Sequence, residues 1–300
     1  MFLCDLLGCT NLLWVAVIAA VLALRRYLKG ASWTGLHRAE GQTIIVTGAN
    51  SGIGRALTEE LLKRGARVIM GCRNRARTES VRQEMIKLGA LPERIQIEEM
   101  DLSSVASTYD TIDVLVNNAG MLRAGGKTRD GNDAILQDNF LGHFLLTELL
   151  LKKITLNRIV AVASCAQWWC PTLDLHEKGY ASILQYGRAK CAEIAHIQEL
   201  GATGVAAFSC HPGVVATNIM EGTWLDRVTS IFTPLMPFYM KTPLEGAQSA
   251  LMLALAPLEE LQMGGYYNDC APATIQWWIN TVEARKKLLA QTKSIVKDYL

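Results

Sequence analysis

A tyrosine and a lysine four residues apart, Tyr186 and Lys190, are the residues whose types and spacing point most directly to chemistry. On a helix, side chains with this spacing share one face. A tyrosine hydroxyl with a pKa near ~10 is a poor acid or base at neutral pH, but a neighbouring ammonium favours the phenolate and lowers that pKa. Ser164 ends a predicted strand and can hold a substrate oxygen by a hydrogen bond. The three residues predict proton transfer at a substrate oxygen, although a tyrosine–lysine pair alone also arises by chance.

A glycine-rich turn, TGANSGIG over 47–54, follows the first predicted strand and directly precedes a predicted helix. Glycine permits a tight turn, close approach of the backbone to a pyrophosphate, and close packing of helix on strand. The free N–H groups at the helix N-terminus attract phosphate. A purely structural turn is the alternative, but the strand before and the helix after favour a dinucleotide site. The residues assigned to it are Thr47, Gly48, Asn50, Ser51, Gly52, Ile53 and Gly54.

The residues after the second predicted strand bear on the choice of cofactor. Folds that bind NAD usually place an acidic residue there, for the ribose 2′-hydroxyl. Here the chain runs GCRNRAR over 71–77, and Arg73 can pair with a 2′-phosphate through its guanidinium. A solvated basic loop is the alternative reading. The pattern favours NADP(H) over NAD(H), with Asp101 and Leu102 beside the adenine.

The elements that position these residues alternate between short β-rich runs and helical stretches from residue 41 onward. Predicted strands cover 43–47, 66–70, 95–100, 113–116, 158–163, 205–210 and a short 265–267. Predicted helices cover about 54–64, 135–152, 186–200 and 244–256. This alternation predicts an α/β fold, a Rossmann-type doubly wound parallel sheet that forms a single domain over 41–300.

The first 29 residues form a separate segment. No charge occurs between Asp5 and Arg25, so 19 consecutive residues are uncharged, close to the ~20 that span a bilayer as a helix. Arg25, Arg26 and Lys29 follow this run and no Lys or Arg precedes it, which places the rest of the chain on the cytosolic side. We expect a single-pass membrane anchor over 1–29, with a cleaved signal peptide and a core helix as alternatives.

Composition argues against several other classes. The net charge is +2, and there is no long basic run or zinc-finger spacing, so no nucleic-acid partner is expected. The eight cysteines form no C-x-x-C pair and lack histidines at ligand spacing. We therefore expect no metal site and interpret the cysteines mostly as buried thiols in a reducing compartment.

Taken together, these segments resemble the short-chain dehydrogenase/reductase family over about 41–300. The resemblance implies that Tyr186 is the general acid or base, that Lys190 lowers its pKa and binds the nicotinamide ribose, and that Ser164 orients the substrate oxygen. Asn139 would hold a water that links Lys190 to a proton path, and Thr217 would contact the nicotinamide carboxamide. The remaining matched positions assigned to the cofactor are Asn118, Ala119, Gly120, Pro212, Gly213 and Val215.

A narrower resemblance is to the membrane-anchored retinol dehydrogenases, carried by segments such as NFLGHF over 139–144, HPGVV over 211–215 and KTPLEGA over 241–247. It implies NADP(H)-dependent interconversion of retinol and retinal or similar lipid alcohols and aldehydes, at the endoplasmic reticulum before mitochondria, with a possible homodimer through the helices carrying Asn139 and Tyr186. The apolar stretch 224–240 suits such a substrate, with ordinary packing as the alternative. His143 and His211 are interpreted as packing residues.

Three connections are short compared with that family: the crossover 101–112, the link 151–158 and the end of the helix that carries Tyr186. Twelve residues can reach ~40 Å when extended but only ~18 Å as a helix, so a full covering helix is not expected in the crossover. The competing hypothesis is therefore a shortened isoform with weak or no catalysis, which acts as a membrane-bound nucleotide-binding or interaction protein. A steroid or fatty-aldehyde enzyme on the same scaffold is a third reading.

Overall fold

This computed structural model describes residues 2–99, 109–122, 126–177, 179–215 and 240–300, with side chains from Trp14 onward. The strands are β1 (Thr43–Thr47), β2 (Arg67–Gly71), β3 (Ile95–Glu98), β4 (Thr111–Ile112), β5 (Val114–Asn117), β6 (Thr155–Leu156), β7 (Ile159–Val162), β8 (Ala207–His211), β9 (Tyr266–Asn268) and β10 (Ala271–Pro272). The helices are α1 (Phe2–Lys29), α2 (Gly52–Lys63), α3 (Arg75–Lys87), α4 (Ala134–Leu136), α5 (Gly142–Lys153), α6 (Ser182–Ala202), α7 (Pro243–Leu255) and α8 (Val282–Ile295).

Eight of these strands form one sheet in the order β10-β9-β8-β7-β5-β1-β2-β3. The seven strands from β9 to β3 pair in parallel, and β10 pairs antiparallel to β9. The chain builds outward from β1 to β3 and then returns to β5 on the other side of β1. The order therefore reverses between β1 and β5, which is the place where such sheets open a crevice at their carboxyl edge.

The core lies on both faces of this sheet, because successive strand residues point in opposite directions. Ile44 and Val46 of β1 pack in one cluster with Leu57 of α2 and Leu251 of α7. Ile45, between them, packs in a second cluster with Leu146 of α5 on the opposite face. Strands covered on both faces read as continuous apolar runs, which is how TIIVT and VLVN appear in the sequence.

The predicted parallel sheet and its seven strand positions are confirmed to within two residues at nearly every end. Two helices, α3 and α8, were not predicted. The short link 151–158 holds β6, which pairs with β4 in a separate two-stranded sheet. The predicted crossover lies mostly outside the described residues, which omit 100–108. All six cysteines whose side chains the structure describes are free thiols, and four of them are buried.

The N-terminal segment is a helix, α1, as expected from its apolar run. Within the described ranges, no helix combines the length and the apolarity needed to cross a membrane. The end of α1 and the residues after it are bound to the domain: Lys29, the last residue of α1, pairs with Glu245 at 2.7 Å, and the backbone N–H of Trp33 donates to Gln248 at 3.1 Å. The guanidinium of Arg64 lies 5.0 Å from the centre of the Trp33 ring.

Candidate active site

Thr47, the last residue of β1, joins the two loops that meet at the carboxyl edge of the sheet. Its buried hydroxyl oxygen accepts hydrogen bonds from the backbone N–H groups of Asn118 and Ala119, at 2.9 and 2.8 Å. Its carbonyl accepts from the side-chain amide of Asn118 at 2.8 Å. The turn after β1 and the turn after β5 are therefore held to each other by three hydrogen bonds.

Glycine is required at two positions of the first turn. Gly48 has a φ of +66°, and a Cβ there would lie 3.0 Å from the Cα of Ala119. A Cβ at Gly54 would lie 2.4 Å from both the Gly48 carbonyl oxygen and the Asn118 amide nitrogen. The backbone thus forms a cradle at the start of α2, whose first N–H groups fit the pyrophosphate of a dinucleotide.

The other predicted residues of this turn surround the cradle. Asn50 donates from its side-chain amide to the Thr78 hydroxyl at 2.9 Å, which ties the turn to α3. Ser51 is the exposed N-cap residue of α2. Ile53 lies beside Gly246 of α7, close to where a Cβ at that glycine would be. The turn is thus held from both sides, while the start of α2 stays accessible.

Arg73 lies just beyond β2, with a side chain that is 69% exposed. Its Nη1 is 3.4 Å from Oδ1 of Asp138, a loose ion pair. The next residue, Asn74, caps α3 by accepting a hydrogen bond from the backbone N–H of Arg77 at 2.9 Å. Arg73 therefore stands in the turn that faces the adenosine ribose in folds of this topology, where its guanidinium fits a 2′-phosphate.

Asn139 lies in a π-helical turn, Gln137–Leu141, between α4 and α5. Its buried side chain donates to the carbonyls of Met121 and Ile135, each at 2.8 Å, and accepts from the N–H of Met121 at 3.0 Å. A Cβ at Gly120 would lie 2.8 Å from Oδ1 of Asn139 and 3.8 Å from Nζ of Lys190. Asn139 thus fixes the backbone beside Lys190, and its water link to that lysine stays a prediction.

The three residues predicted to act on the substrate lie together. Tyr186 and Lys190 are both buried on α6, and Nζ of Lys190 is 6.0 Å from the centre of the Tyr186 ring. Ser164 begins the short 3₁₀ turn Cys165–Trp169 after β7, and its hydroxyl oxygen accepts from the N–H of Ala166 at 3.1 Å. The Ser164 hydroxyl lies near enough to the Tyr186 hydroxyl to lower the pKa of Tyr186.

The groups around Tyr186 act on its pKa in opposite directions. Burial raises the pKa of Tyr186, whereas the Lys190 ammonium and the Ser164 hydroxyl lower it, and the Glu193 carboxylate raises it further. The net effect is a pKa above the ordinary value, although Lys190 acts in the expected direction. Burial also lowers the pKa of Lys190, but the charges of Glu193 and Tyr186 outweigh it and the pKa of Lys190 is raised.

Pro212, Gly213 and Val215 follow β8 at the same edge. Gly213 has a φ of +85°, and a Cβ there would lie 2.7 Å from the side chain of Lys241. Val215 pairs in parallel with Lys241 as an isolated bridge. This turn thus lies at the end of the sheet where the nicotinamide half of a dinucleotide is expected. Three predicted cofactor contacts, Asp101, Leu102 and Thr217, lie outside the described residues.

Two residues gain a role that the sequence did not assign. His211 accepts a hydrogen bond at Nδ1 from the N–H of Cys165, at 3.2 Å, so it holds the turn that carries Ser164. Glu193, one helical turn after Lys190, accepts from its ammonium at 2.8 Å. The spacing of three between Lys190 and Glu193 was the signal in the sequence that could have revealed this pair.

A doubly wound parallel sheet with a glycine cradle, and a tyrosine, lysine and serine at the same edge, define a dinucleotide-dependent oxidoreductase. Comparison with known proteins agrees. The short chain dehydrogenase family matches residues 42–227. Retinol dehydrogenase 14 from Mus musculus is 36% identical over 304 residues, covering 85% of this chain and 91% of that protein. Retinol dehydrogenase 11 from Homo sapiens is 33% identical over 291 residues, covering 89% and 88%.

Among solved structures, an uncharacterized protein from Mycobacterium paratuberculosis superposes with a TM-score of 0.70 at 28% identity, covering 89% of this chain and 98% of that one. The chain therefore belongs to the short-chain dehydrogenase family, and its similarity to retinol dehydrogenases extends over most of its length.

Proposed function

We propose that this protein is an NADP(H)-dependent oxidoreductase that interconverts an apolar alcohol and its carbonyl compound, with retinol and retinal as the leading pair. The observation that carries the proposal is the meeting of Tyr186, Lys190 and Ser164 beside the glycine cradle at one edge of the sheet. Each group has the chemistry that proton transfer at a substrate oxygen requires.

In the direction of reduction, the Tyr186 hydroxyl donates its proton to the substrate oxygen. Ser164 lies near Tyr186, so a substrate oxygen that bonds both hydroxyls would lie within reach of that proton. The bound nicotinamide would supply the hydride to the carbonyl carbon. The Lys190 ammonium stabilises the tyrosine anion that remains, and its positive charge also suits the ribose hydroxyls of the cofactor. Oxidation of the alcohol runs through the same groups in reverse.

The preference for NADP(H) rests on Arg73. Its guanidinium is exposed and held by a loose contact at 3.4 Å, so it is free to form the two parallel hydrogen bonds that a phosphate accepts. The ribose 2′-hydroxyl of NAD(H) offers no charge for it to pair with. Arg73 therefore favours the phosphorylated cofactor.

An apolar substrate is supported by two observations. The relatives that match most of the chain are retinol dehydrogenases. Trp168 and Trp169 are 52% and 56% exposed on the short turn that begins at Ser164, so they offer apolar surface next to the reacting groups. The apolar stretch 224–240 lies outside the described residues except for the buried Met240.

We further propose that α1 attaches the enzyme to a membrane, at the endoplasmic reticulum in preference to mitochondria, with the catalytic domain in the cytosol. Trp14, Ile18 and Leu22 are spaced four apart on α1 and are each more than half exposed. Replacing Ile18 and Leu22 by Asp should release the full chain from floating vesicles, and unchanged flotation would refute the attachment. Homodimerisation stays a prediction, and sedimentation of the detergent-solubilised chain would test it.

The test of substrate and cofactor is a panel of initial rates on the detergent-solubilised chain. All-trans-retinal and a long-chain aldehyde are compared with a small hydrophilic aldehyde, each with NADPH and with NADH. We expect the highest kcat/KM for an apolar aldehyde with NADPH. Equal use of both cofactors would refute the role of Arg73, and a preference for the hydrophilic aldehyde would refute the substrate class.

A further inference from the structure

A chain of four buried side chains connects the lysine of the site to the nucleotide cradle. The Lys190 ammonium donates to Oε2 of Glu193 at 2.8 Å and to the carbonyl of Val162 at 2.8 Å. Oε1 of Glu193 lies 3.1 Å from Nδ1 of His143. Nε2 of His143 lies 3.1 Å from the hydroxyl of Thr47. The residues come from α6, α5 and β1, so the chain crosses the whole site.

The direction of each hydrogen bond follows from Thr47. Its hydroxyl oxygen already accepts from two backbone N–H groups, which uses both of its lone pairs. The hydroxyl must therefore donate its own proton, so Nε2 of His143 is the acceptor. The proton of the imidazole then sits on Nδ1 and is donated to Glu193. Glu193 receives hydrogen bonds at both oxygens, which is the pattern of an ionised carboxylate.

We propose that Glu193 is a positioning residue that aims the Lys190 ammonium, anchors it through His143 to the nucleotide cradle, and sets the pH at which the Tyr186–Lys190 pair gains or loses its proton. The proposal rests on the assignment of Tyr186 and Lys190 under the proposed function. Two of the three N–H groups of Lys190 have acceptors in the described part of the chain. The third is left to face Tyr186 and the cofactor.

The electrostatic consequence follows from burial. Lys190 and Glu193 are each 3% exposed, so their charges are poorly screened by solvent. Tyr186 and Lys190 are close enough to titrate as a pair, and the first proton lost belongs to the pair rather than to either residue. The negative charge of Glu193 disfavours that loss. Removing this charge should lower the apparent pKa of the pair, whether the proton leaves Tyr186 or Lys190.

Other titratable groups face the pair and need to be accounted for. His143 on α5 approaches from one side, Cys165 from the turn after β7, and Cys210 from β8. Burial raises the pKa of both thiols, and both thiols are common to wild type and variant. Replacing Glu193 thus isolates the effect of its charge on the Tyr186–Lys190 pair.

The experiment compares Glu193→Gln with wild type in the pH dependence of kcat/KM for aldehyde reduction. Reduction needs the protonated pair, so activity falls on the alkaline side. Glu193→Gln should move this alkaline limb to lower pH by about one unit, a tenfold change in the proton-binding constant. NADPH binding, followed by fluorescence, should be retained, because Glu193 lies behind Lys190 and not in the cradle.

The chain offers a matched control. Glu148 of α5 is bonded to His196 of α6 at 3.2 Å, a second glutamate–histidine contact between the same two helices that does not involve Lys190. Glu148→Gln should leave the pH profile unchanged. An unshifted limb in Glu193→Gln, or an equal shift in Glu148→Gln, would overturn the proposal.

A second variant keeps the test possible if Glu193→Gln does not fold. If Glu193→Gln does not show a cooperative melt, Glu193→Asp is measured instead. The shorter side chain weakens both contacts but keeps the charge near Tyr186, so the limb should move in the same direction by a smaller amount. A limb that coincides with wild type in this variant would overturn the proposal as well.

The Tyr186→Phe variant tests the proposed function separately from the role of Glu193. If Tyr186→Phe keeps its activity, the assignment of the acid is wrong. If Tyr186→Phe is inactive and the limb of Glu193→Gln does not move, the function stands and only the role of Glu193 is lost.

Discussion

Replacing Thr47 by Val tests whether the Thr47 hydroxyl holds the nucleotide turn after β1 to the turn after β5. Val has nearly the same shape as Thr, so the change removes the oxygen and little else. The oxygen accepts from the N–H groups of Asn118 and Ala119, and the hydroxyl donates to His143. Thr47→Val therefore leaves these two backbone donors and one ring nitrogen without their partner.

The size of the effect can be worked out from these contacts. An unsatisfied buried donor costs about 1–3 kcal/mol, and the residues concerned are buried or half-buried. Two donors with partial relaxation give about 3 kcal/mol of lost stability. In a domain of this size each kcal/mol lowers the melting temperature by roughly 2–4 °C, so we expect a fall of about 6–12 °C.

Thr47→Ser is the matched control, because it keeps the hydroxyl and removes only a methyl group. Both variants are melted by differential scanning fluorimetry with and without NADPH, and their affinity for NADPH is measured by fluorescence. We expect Thr47→Val to lose stability and affinity together, and Thr47→Ser to lose far less of either. If the two variants melt at the same temperature, the oxygen does not hold the turn and the reasoning is refuted.

Three further predictions concern single contacts. Gly54→Ala should abolish NADPH binding, because its Cβ would lie 2.4 Å from the Gly48 carbonyl oxygen. The control, Gly126→Ala, places its Cβ in open space and should bind NADPH normally. Equal NADPH binding by the two variants would count against the cradle. Arg73→Ser should weaken NADPH binding about tenfold and leave NADH binding unchanged, since one charge-assisted contact is lost. Arg75→Ser is the control. An equal loss of affinity for both cofactors in Arg73→Ser would contradict the 2′-phosphate assignment. Burial and, next, Lys241 lower the pKa of His211 to about 4 from 6.5. The unfolded chain therefore takes up this proton at higher pH than the folded chain, so stability present above pH 6.5 should fall by about 3 kcal/mol as the pH drops to 4. His211→Gln should flatten that fall in denaturant titrations, and an unchanged slope would show that His211 does not cause it.

Patterns that depend on neighbouring residues were predictable from the sequence. β1 reads as a run of buried β-branched residues, and the glycines after it have spacing that a phosphate cradle requires. Tyr186 and Lys190 are four apart on a helix, so their shared face was expected. In each case the physical cause acts within a few residues, and the sequence displays it directly.

The two helices that were missed bury few apolar side chains. α3 buries Thr78, Val81 and Met85, and the buried residues of α8 are Arg285, Leu288 and Thr292. Neither helix shows the continuous apolar stripe that marks a core helix, so the periodic signal is weak. Their helical form depends on caps and on packing against the rest of the domain, such as the Asn74 cap of α3.

The hydrogen-bond chain behind Lys190 depends on contacts that are distant in the sequence. Glu193 and His143 are 50 residues apart, and His143 and Thr47 are 96 apart. Spacing on α6 could suggest the pair of Lys190 and Glu193, but the partner of the second carboxylate oxygen depends on how α5 and α6 pack. For the same reason, the sequence indicated only a packing role for His143.

In the proposed function, Tyr186 exchanges a proton with the substrate oxygen in a nucleotide-dependent reaction. The most direct test measures NADPH consumption with all-trans-retinal by the detergent-solubilised chain and its Tyr186→Phe variant, with NADPH affinity measured on the same samples. We expect the variant to bind NADPH like wild type and to lose about 10²–10⁴-fold in kcat. Turnover by the variant at a rate close to wild type would contradict it.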